Sequence, residues 1–167
     1  RAYLDGRGIL PRTREAYGLG LAPDSWDGLL RHARAVVSER SLIEAGLAAE
    51  SESGRVYDRF RHRLMIPIET AGASPLGFGG RALGDTEPKY LNSPETAVYR
   101  KGAVLYGTGP AREAIRAEGR VVVVEGYFDV IGLAQEGVPG VVATCGTALT
   151  AEQALQLKRL SERVVLV

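Results

Sequence analysis

Cysteine is nearly absent. Cys145 is the one thiol in 167 residues, which excludes an internal disulfide and a cysteine-based zinc site. It stands beside Gly146 after a short apolar strand and reads as a small buried residue rather than a nucleophile. Long apolar runs are missing too: the longest, Val121–Val124, falls far short of the roughly 20 residues a membrane span needs. No signal-peptide core follows Arg1-Ala2-Tyr3-Leu4-Asp5, so a cytoplasmic protein without membrane partners is the expectation. Repeats and low-complexity tracts are absent. Lysine is scarce, with only Lys89, Lys101 and Lys158 among 21 basic residues. A large net charge is lacking as well, since the total is +1. Divided along the chain, the balance is uneven. Residues 1–53 carry 7 basic and 8 acidic side chains, residues 54–112 carry 9 and 5, and residues 113–167 carry 5 and 7. A basic middle and an acidic end suit one surface that meets phosphates and another that gathers cations.

What is present is an ordinary globular composition, 45% hydrophobic and 25% charged. The first fifty residues read as helices, over Tyr3–Gly8, Pro11–Tyr17, Trp26–Ser38 and Ser41–Ala45, with Ser25 as N-cap of the third. Segments 56–60, 64–68 and 76–81 read as strands of an antiparallel meander. Pro88, Pro94 and Pro110 predict an irregular stretch over residues 85–110. From residue 119 the pattern is strand–helix–strand–helix–strand: 121–124, 127–135, 140–143, 150–160 and 164–167. Continuous apolar strands alternating with helices mean a parallel sheet, and Thr150 with Gln153 fits a capping box. The fold class is therefore α/β, an α+β N-terminal part with a small mixed or antiparallel sheet followed by a parallel βαβαβ.

Ligands of parallel α/β sheets bind beyond the carboxyl ends of the strands. Glu125 stands there, with Gly126 behind it for a sharp turn; alone it is as readily a solvated strand-end carboxylate. The loop Thr144-Cys145-Gly146-Thr147 ends at the same edge and leads into a capped helix, whose N-terminus can hold an anion or simply begin a helix. Arg59, Arg61 and Arg63 alternate, so on one strand they would share a face, either a basic groove wall or a solvated exterior. His62 between them reads as exposed, and Trp26 and His32 as packing or helix surface.

Glu125-Gly126-Tyr127-Phe128-Asp129-Val130 followed by Ala143-Thr144-Cys145-Gly146-Thr147-Ala148-Leu149-Thr150 resembles the Toprim module of bacterial DnaG-type primases. Gly77-Phe78-Gly79-Gly80-Arg81, the run Pro88-Lys89-Tyr90-Leu91-Asn92-Ser93-Pro94-Glu95-Thr96, Lys101-Gly102 and Leu105-Tyr106-Gly107 resemble the basic subdomain of the same primases. The likeness covers essentially the whole chain. It implies residues 1–115 as a basic N-terminal subdomain binding template and nucleotide, and 116–167 as the first part of a Toprim subdomain. In the family an Asp-x-Asp pair follows the third Toprim strand; here that strand is Val164–Val167, so the resemblance implies a fragment inactive without those aspartates.

Further implications concern chemistry and partners. The activity is synthesis of short RNA primers from ribonucleoside triphosphates on single-stranded DNA in the bacterial, nucleoid-associated replisome. Glu125 becomes a metal ligand for Mg2+ or Mn2+, or an acid/base for the primer 3′-hydroxyl. Asp129 is either a helper or a first-turn carboxylate favoured by the helix dipole. Arg7, Arg81, Lys89, Asn92 and Lys101 would touch nucleic acid or nucleotide; Tyr90 either stacks on a base or lies in the core. Arg81 follows a Gly pair that permits close backbone approach to a ligand. Zinc would belong only to a further N-terminal module, and a replicative helicase to a C-terminal region. Alternatives are a non-catalytic single-stranded nucleic-acid-binding module, or another Toprim enzyme such as a nuclease or topoisomerase subunit.

Overall fold

Glycine and proline cut the first fifty residues into short pieces in the computed structural model, which describes residues 1–69, 74–146 and 148–167. Helix α1 (Ala2–Gly6) is followed by α2 (Pro11–Ala16), which starts on proline, where a missing N–H costs nothing. A strand the pattern did not announce, β1 (Gly20–Ala22), precedes α3 (Gly28–Ala33) and α4 (Glu39–Glu44). Ser38 caps α4 by accepting the Ser41 N–H at 3.1 Å. Ser25, by contrast, does not cap α3. Its hydroxyl bonds to Asp27, accepting the N–H and donating to the carboxylate at 3.4 Å each, because the helix begins at Gly28. The first-turn N–H groups of Leu29 and Leu30 are instead bound by the buried carboxylate of Asp58, at 2.7 and 3.0 Å.

Five strands follow: β2 (Ala48–Glu50), β3 (Val56–Asp58), β4 (Arg63–Glu69), β5 (Pro75–Ala82) and β6 (Tyr90–Asn92). The expected three-strand meander does not form. β3 pairs antiparallel with β2, while β1, β4, β5 and β6 build a separate sheet in that order. His62, at φ 50°, breaks the extended run between β3 and β4, so Arg59, Arg61 and Arg63 share no strand face. The stretch expected to be irregular contains β6, flanked rather than interrupted by Pro88 and Pro94. It also contains a 3-10 turn (Lys101–Ala103) and the start of α5 (Thr108–Glu118). Pro110 falls in the first turn of α5, where no backbone donor is lost from the ladder.

The second half follows its pattern closely, with β7 (Val121–Val124), α6 (Tyr127–Gln135), β8 (Val141–Ala143), α7 (Ala151–Leu160) and β9 (Val164–Leu166). β7 lies between β8 and β9, parallel to both, and all four of its side chains are buried. Thr150 and Gln153 form the expected capping box.

The chain divides into two compact units. One comprises Arg1–Gly18, Ile68–Leu76 and Arg100–Val167, the other Leu19–Pro67 and Gly77–Tyr99. The first is built on Leu105, Ala111, Ile115, Val121, Val123, Val142 and Leu157, the second on Leu30, Ala33, Leu42 and Ala48. In the first, Gln135 at the end of α6 secures the opening helices. Its carbonyl oxygen accepts from the Leu10 N–H (2.8 Å) and the Thr13 hydroxyl (3.0 Å), and its amide donates to the Gly8 carbonyl (3.0 Å). Among the described residues no helix is long and apolar enough to cross a membrane.

Candidate active site

Glu125 is the first residue beyond β7, and its side chain faces solvent at the carboxyl edge of the sheet. Its backbone carbonyl accepts the Cys145 N–H at 3.0 Å, which ties the loop after β7 to the loop after β8. Gly126 is extended (φ −129°, ψ 168°), so the sharp turn expected of it is not its reason for being glycine. Space is: a Cβ there would stand 3.1 Å from Asp129 Oδ2. That oxygen accepts the Gly126 N–H at 2.9 Å, so Asp129 caps its own helix with one oxygen while the residue as a whole stays exposed. Of the two roles considered for Asp129, the contacts show the first-turn helix one.

Two cations reach this edge. Val104–Tyr106 runs antiparallel to β8, with Tyr106 bridged to Ala143 through both backbone hydrogen bonds, at 2.9 and 3.0 Å. Residues preceding that stretch therefore emerge beyond the carboxyl end of β8. Lys101 does so, and its Nζ lies 3.4 Å from the Gly146 carbonyl. Arg7, at the end of α1, donates to the Tyr3 hydroxyl (2.7 Å) and lies 4.7 Å from the centre of the Phe128 ring, one residue before Asp129. Cys145 has φ 54° and is buried. Burial pushes its thiol far above the ordinary range, against a weaker opposing hydrogen bond from Tyr127, so it is a protonated packing residue as its context suggested. Thr147, part of the same expected loop, lies outside the described residues.

Metal chemistry can be tested on the donor set. Among the described residues no three His, Cys, Asp or Glu side chains gather as a metal cluster. Glu125 and Asp129 offer oxygen only, which suits Mg2+ or Mn2+. Mg2+ is commonly held by one or two carboxylates with water and substrate phosphates, and this pair fits that mode.

Arg81, Lys89, Tyr90 and Asn92 belong to the other unit. β5 and β6 pair antiparallel with Arg81 opposite Tyr90 and Gly79 opposite Asn92, so Arg81, Tyr90 and Asn92 share a face of the sheet. The Arg81 guanidinium sits 5.5 Å from the Tyr90 ring and donates to the Ala82 carbonyl. Tyr90 is 40% exposed, which decides against a core role. Lys89 is exposed and Asn92 half-buried. The expectation that the glycines before Arg81 admit a ligand is corrected at Gly80. A Cβ there would meet Phe60 at 2.8 Å and Arg63 at 3.0 Å, so the missing side chain makes room for packing. Arg63 itself is buried, with burial lowering its pKa, and it donates to the carbonyls of Gly80 (3.1 Å) and Pro88 (2.8 Å).

A feature the sequence reading missed lies in the same unit. A groove of about 440 Å³ is lined by Trp26, Tyr57, Arg59, Arg61 and His62, among others. Trp26 is exposed and packs edge-on against Tyr57 (5.5 Å), and the Arg61 guanidinium lies 4.0 Å from its ring centre. Aromatic faces beside guanidinium groups offer stacking and charge together, the combination a nucleotide chain requires. No local motif announces it, because Trp26 stands outside α3 and Arg61 in the irregular link between β3 and β4.

Comparison with known proteins decides the family. The family model described as DNA primase catalytic core, N-terminal domain, matches residues 1–112, and the Toprim domain model matches residues 119–167. The chain belongs to the DNA primase catalytic-core family. It is 54% identical to a DNA primase of Deinococcus radiodurans over 165 residues, which is 98% of this chain and 29% of that protein. Among solved structures, a DnaG primase catalytic domain bound to single-stranded DNA superposes with a TM-score of 0.91 at 42% identity, over 99% of this chain and 54% of that one. A primase domain from Pseudomonas aeruginosa gives 0.91 at 45% identity, over 99% of this chain and 52% of that one. The chain thus spans under a third of the Deinococcus primase and about half of these primase domains. The α/β class, with an antiparallel sheet and a parallel Toprim-type sheet, agrees with them.

Proposed function

We propose that the whole protein synthesises short RNA primers from ribonucleoside triphosphates on single-stranded DNA in the bacterial cytoplasm at the replisome. The observation that carries this reading is Glu125, solvent-facing at the carboxyl end of the central parallel strand, with Lys101 delivered to the edge of the adjoining strand. Primer extension joins the primer 3′-oxygen to the α-phosphorus of the incoming nucleotide. The bond to the β-phosphate bridge oxygen breaks, pyrophosphate leaves, and the hydroxyl proton departs. Such phosphoryl transfer is mostly positioning and charge stabilisation. Mg2+ or Mn2+, held in part by Glu125, would neutralise charge on the reacting phosphates when bound. Lys101 and Arg7 contribute positive charge near Glu125, and Asp129, which caps its own helix through the Gly126 N–H, assists Glu125.

In the other unit, Arg81, Lys89, Tyr90 and Asn92 contact template or nucleotide, and the Trp26–Arg61 groove takes unpaired bases of the template. The matched models, residues 1–112 and 119–167, support a division into a basic subdomain over 1–115 and a Toprim part over 116–167. Zinc and the replicative helicase would belong to other regions of the whole protein. Glu125→Gln in that protein abolishes incorporation of labelled ribonucleotides while template affinity stays within about twofold. Normal polymerisation by the variant removes the assignment.

A second reading is favoured by the groove and the β5–β6 cluster, which are complete within this chain. They make it a non-catalytic binding module for single-stranded nucleic acid in its own right. The DNA primase relatives supply no support for a nuclease or topoisomerase reading.

A further inference from the structure

Gln153, in the first turn of α7, is polar and has no exposed surface at all. Both ends of its amide are engaged. The oxygen accepts the Thr150 N–H at 3.1 Å and completes the capping box; the nitrogen donates to the Val104 carbonyl at 2.9 Å. The cap requires only the first bond, which a glutamate would make equally well. Choice of the amide is decided by the second bond, to a carbonyl 49 residues away in sequence.

That bond is one of three. The Thr150 hydroxyl donates to the Gly102 carbonyl at 2.6 Å while accepting the Gln153 N–H at 3.0 Å, and the Gln156 amide donates to the Ala103 carbonyl. Three successive carbonyls, of residues 102, 103 and 104, are therefore held by three side chains from one helix end. Arg100 adds an ion pair with Glu152 at 3.0 Å. The backbone so pinned is the turn that begins at Lys101. A lysine stem has four rotatable carbons, so its charge is placed only as well as its Cα is fixed.

We infer that Gln153 is a positioning residue for Lys101: by holding the Val104 carbonyl it sets where the Lys101 ammonium meets the nucleotide or template phosphate. The inference rests on the reading of Lys101 as a phosphate contact. A residue that acts through another loses its effect when the other is removed, and a double-mutant cycle reads this directly. In the whole protein, primer extension is measured for Lys101→Ala, Gln153→Met and the double variant, with KM for ribonucleoside triphosphate separated from kcat. Gln153→Met keeps the buried volume and removes both hydrogen bonds. Its KM rises about tenfold, as for a lost charge-assisted contact, and kcat stays within twofold. On the Lys101→Ala background the same substitution raises KM less than twofold. Equal rises on both backgrounds would mean a purely structural role and overturn the inference. An unchanged KM for Lys101→Ala removes the underlying phosphate contact, and the positioning role with it. Should Gln153→Met not fold, Gln153→Glu serves in the same cycle. It retains the cap acceptor and turns an oxygen on the Val104 carbonyl, with the same two results deciding.

Discussion

Asp58→Ala offers a sharp test of how the unit that contains the groove is held together. Asp58 ends β3, is 3% exposed, and spends both carboxylate oxygens on the first turn of α3, with Leu29 N–H at 2.7 Å and Leu30 N–H at 3.0 Å. An ordinary N-cap loss costs about 1–2 kcal/mol. Here the donors meet a charged acceptor, where each bond contributes about 1.5–3 kcal/mol. The Leu30 donor is buried and stays unsatisfied once the carboxylate is gone. Leu29 is at the surface, so water replaces most of its bond. One full loss and one partial loss give about 3 kcal/mol. For a chain of this length each kcal/mol moves the melting temperature by roughly 2–4 °C, so Asp58→Ala melts about 9 °C lower. Asp58→Asn keeps one oxygen acceptor and loses about half as much. Thermal melting followed by circular dichroism, with urea unfolding to check that the m-value is unchanged, reads both. An Asp58→Ala protein within 1 kcal/mol of the parent refutes the reasoning, as does an Asp58→Asn protein equally damaged.

Three further outcomes are expected. Trp26→Ala weakens binding of an unstructured oligodeoxynucleotide by about 1–3 kcal/mol, measured by fluorescence anisotropy, because one stacking face and the support under Arg61 disappear together. Lys89→Ala combined with Lys101→Ala lowers the slope of log affinity against log salt by about 1.4, the loss of two single-strand phosphate contacts; an unchanged slope removes both lysines from the interface. Cys145 is protonated in the folded protein far above the pH at which an unfolded thiol ionises, near 8.5. Its contribution is therefore fully present below about pH 8.5 and declines as pH rises beyond it. Between pH 7.5 and 9.5 it lowers unfolding free energy by about 1.4 kcal/mol, a fall that Cys145→Ala abolishes in urea titrations at the two pH values.

The parallel half of the fold was legible because each element there carries its own signature. Four consecutive valines, a helix of nine residues ending before Gly137, and the Thr150–Gln153 box are local patterns, and the structure reproduces their limits to within a residue or so. The first half was less legible for a physical reason. β1, β2, β3 and β6 are three residues long, too short for alternation to show, and their partners are chosen by pairing at a distance. The cap of α3 comes from a residue 28 positions beyond Leu30, so the nearby Ser25 was the natural but mistaken choice. Within the candidate site, Glu125 was readable as a strand-end residue. Delivery of Lys101 was not, since it depends on an antiparallel bridge between Tyr106 and Ala143 that has no sequence signal. The Trp26–Arg61 stack escaped notice because the three arginines looked like a strand, and only the left-handed His62 shows that they are not.

The amide of Gln135 joins positions 122 to 127 residues apart, and this orders events during synthesis on the ribosome. Helices α1 and α2 are made well before α6, so their bonds to Gln135 wait until that helix exists. Meanwhile Leu19–Tyr99, which supplies every residue of the groove-bearing unit, has already left the exit tunnel and is able to close on itself. Contacts of such long sequence separation form slowly. The groove thus forms well before the arginine at position 7 is seated on Phe128, and late docking of the α1–α2 segment brings that arginine to the edge on which Glu125 stands.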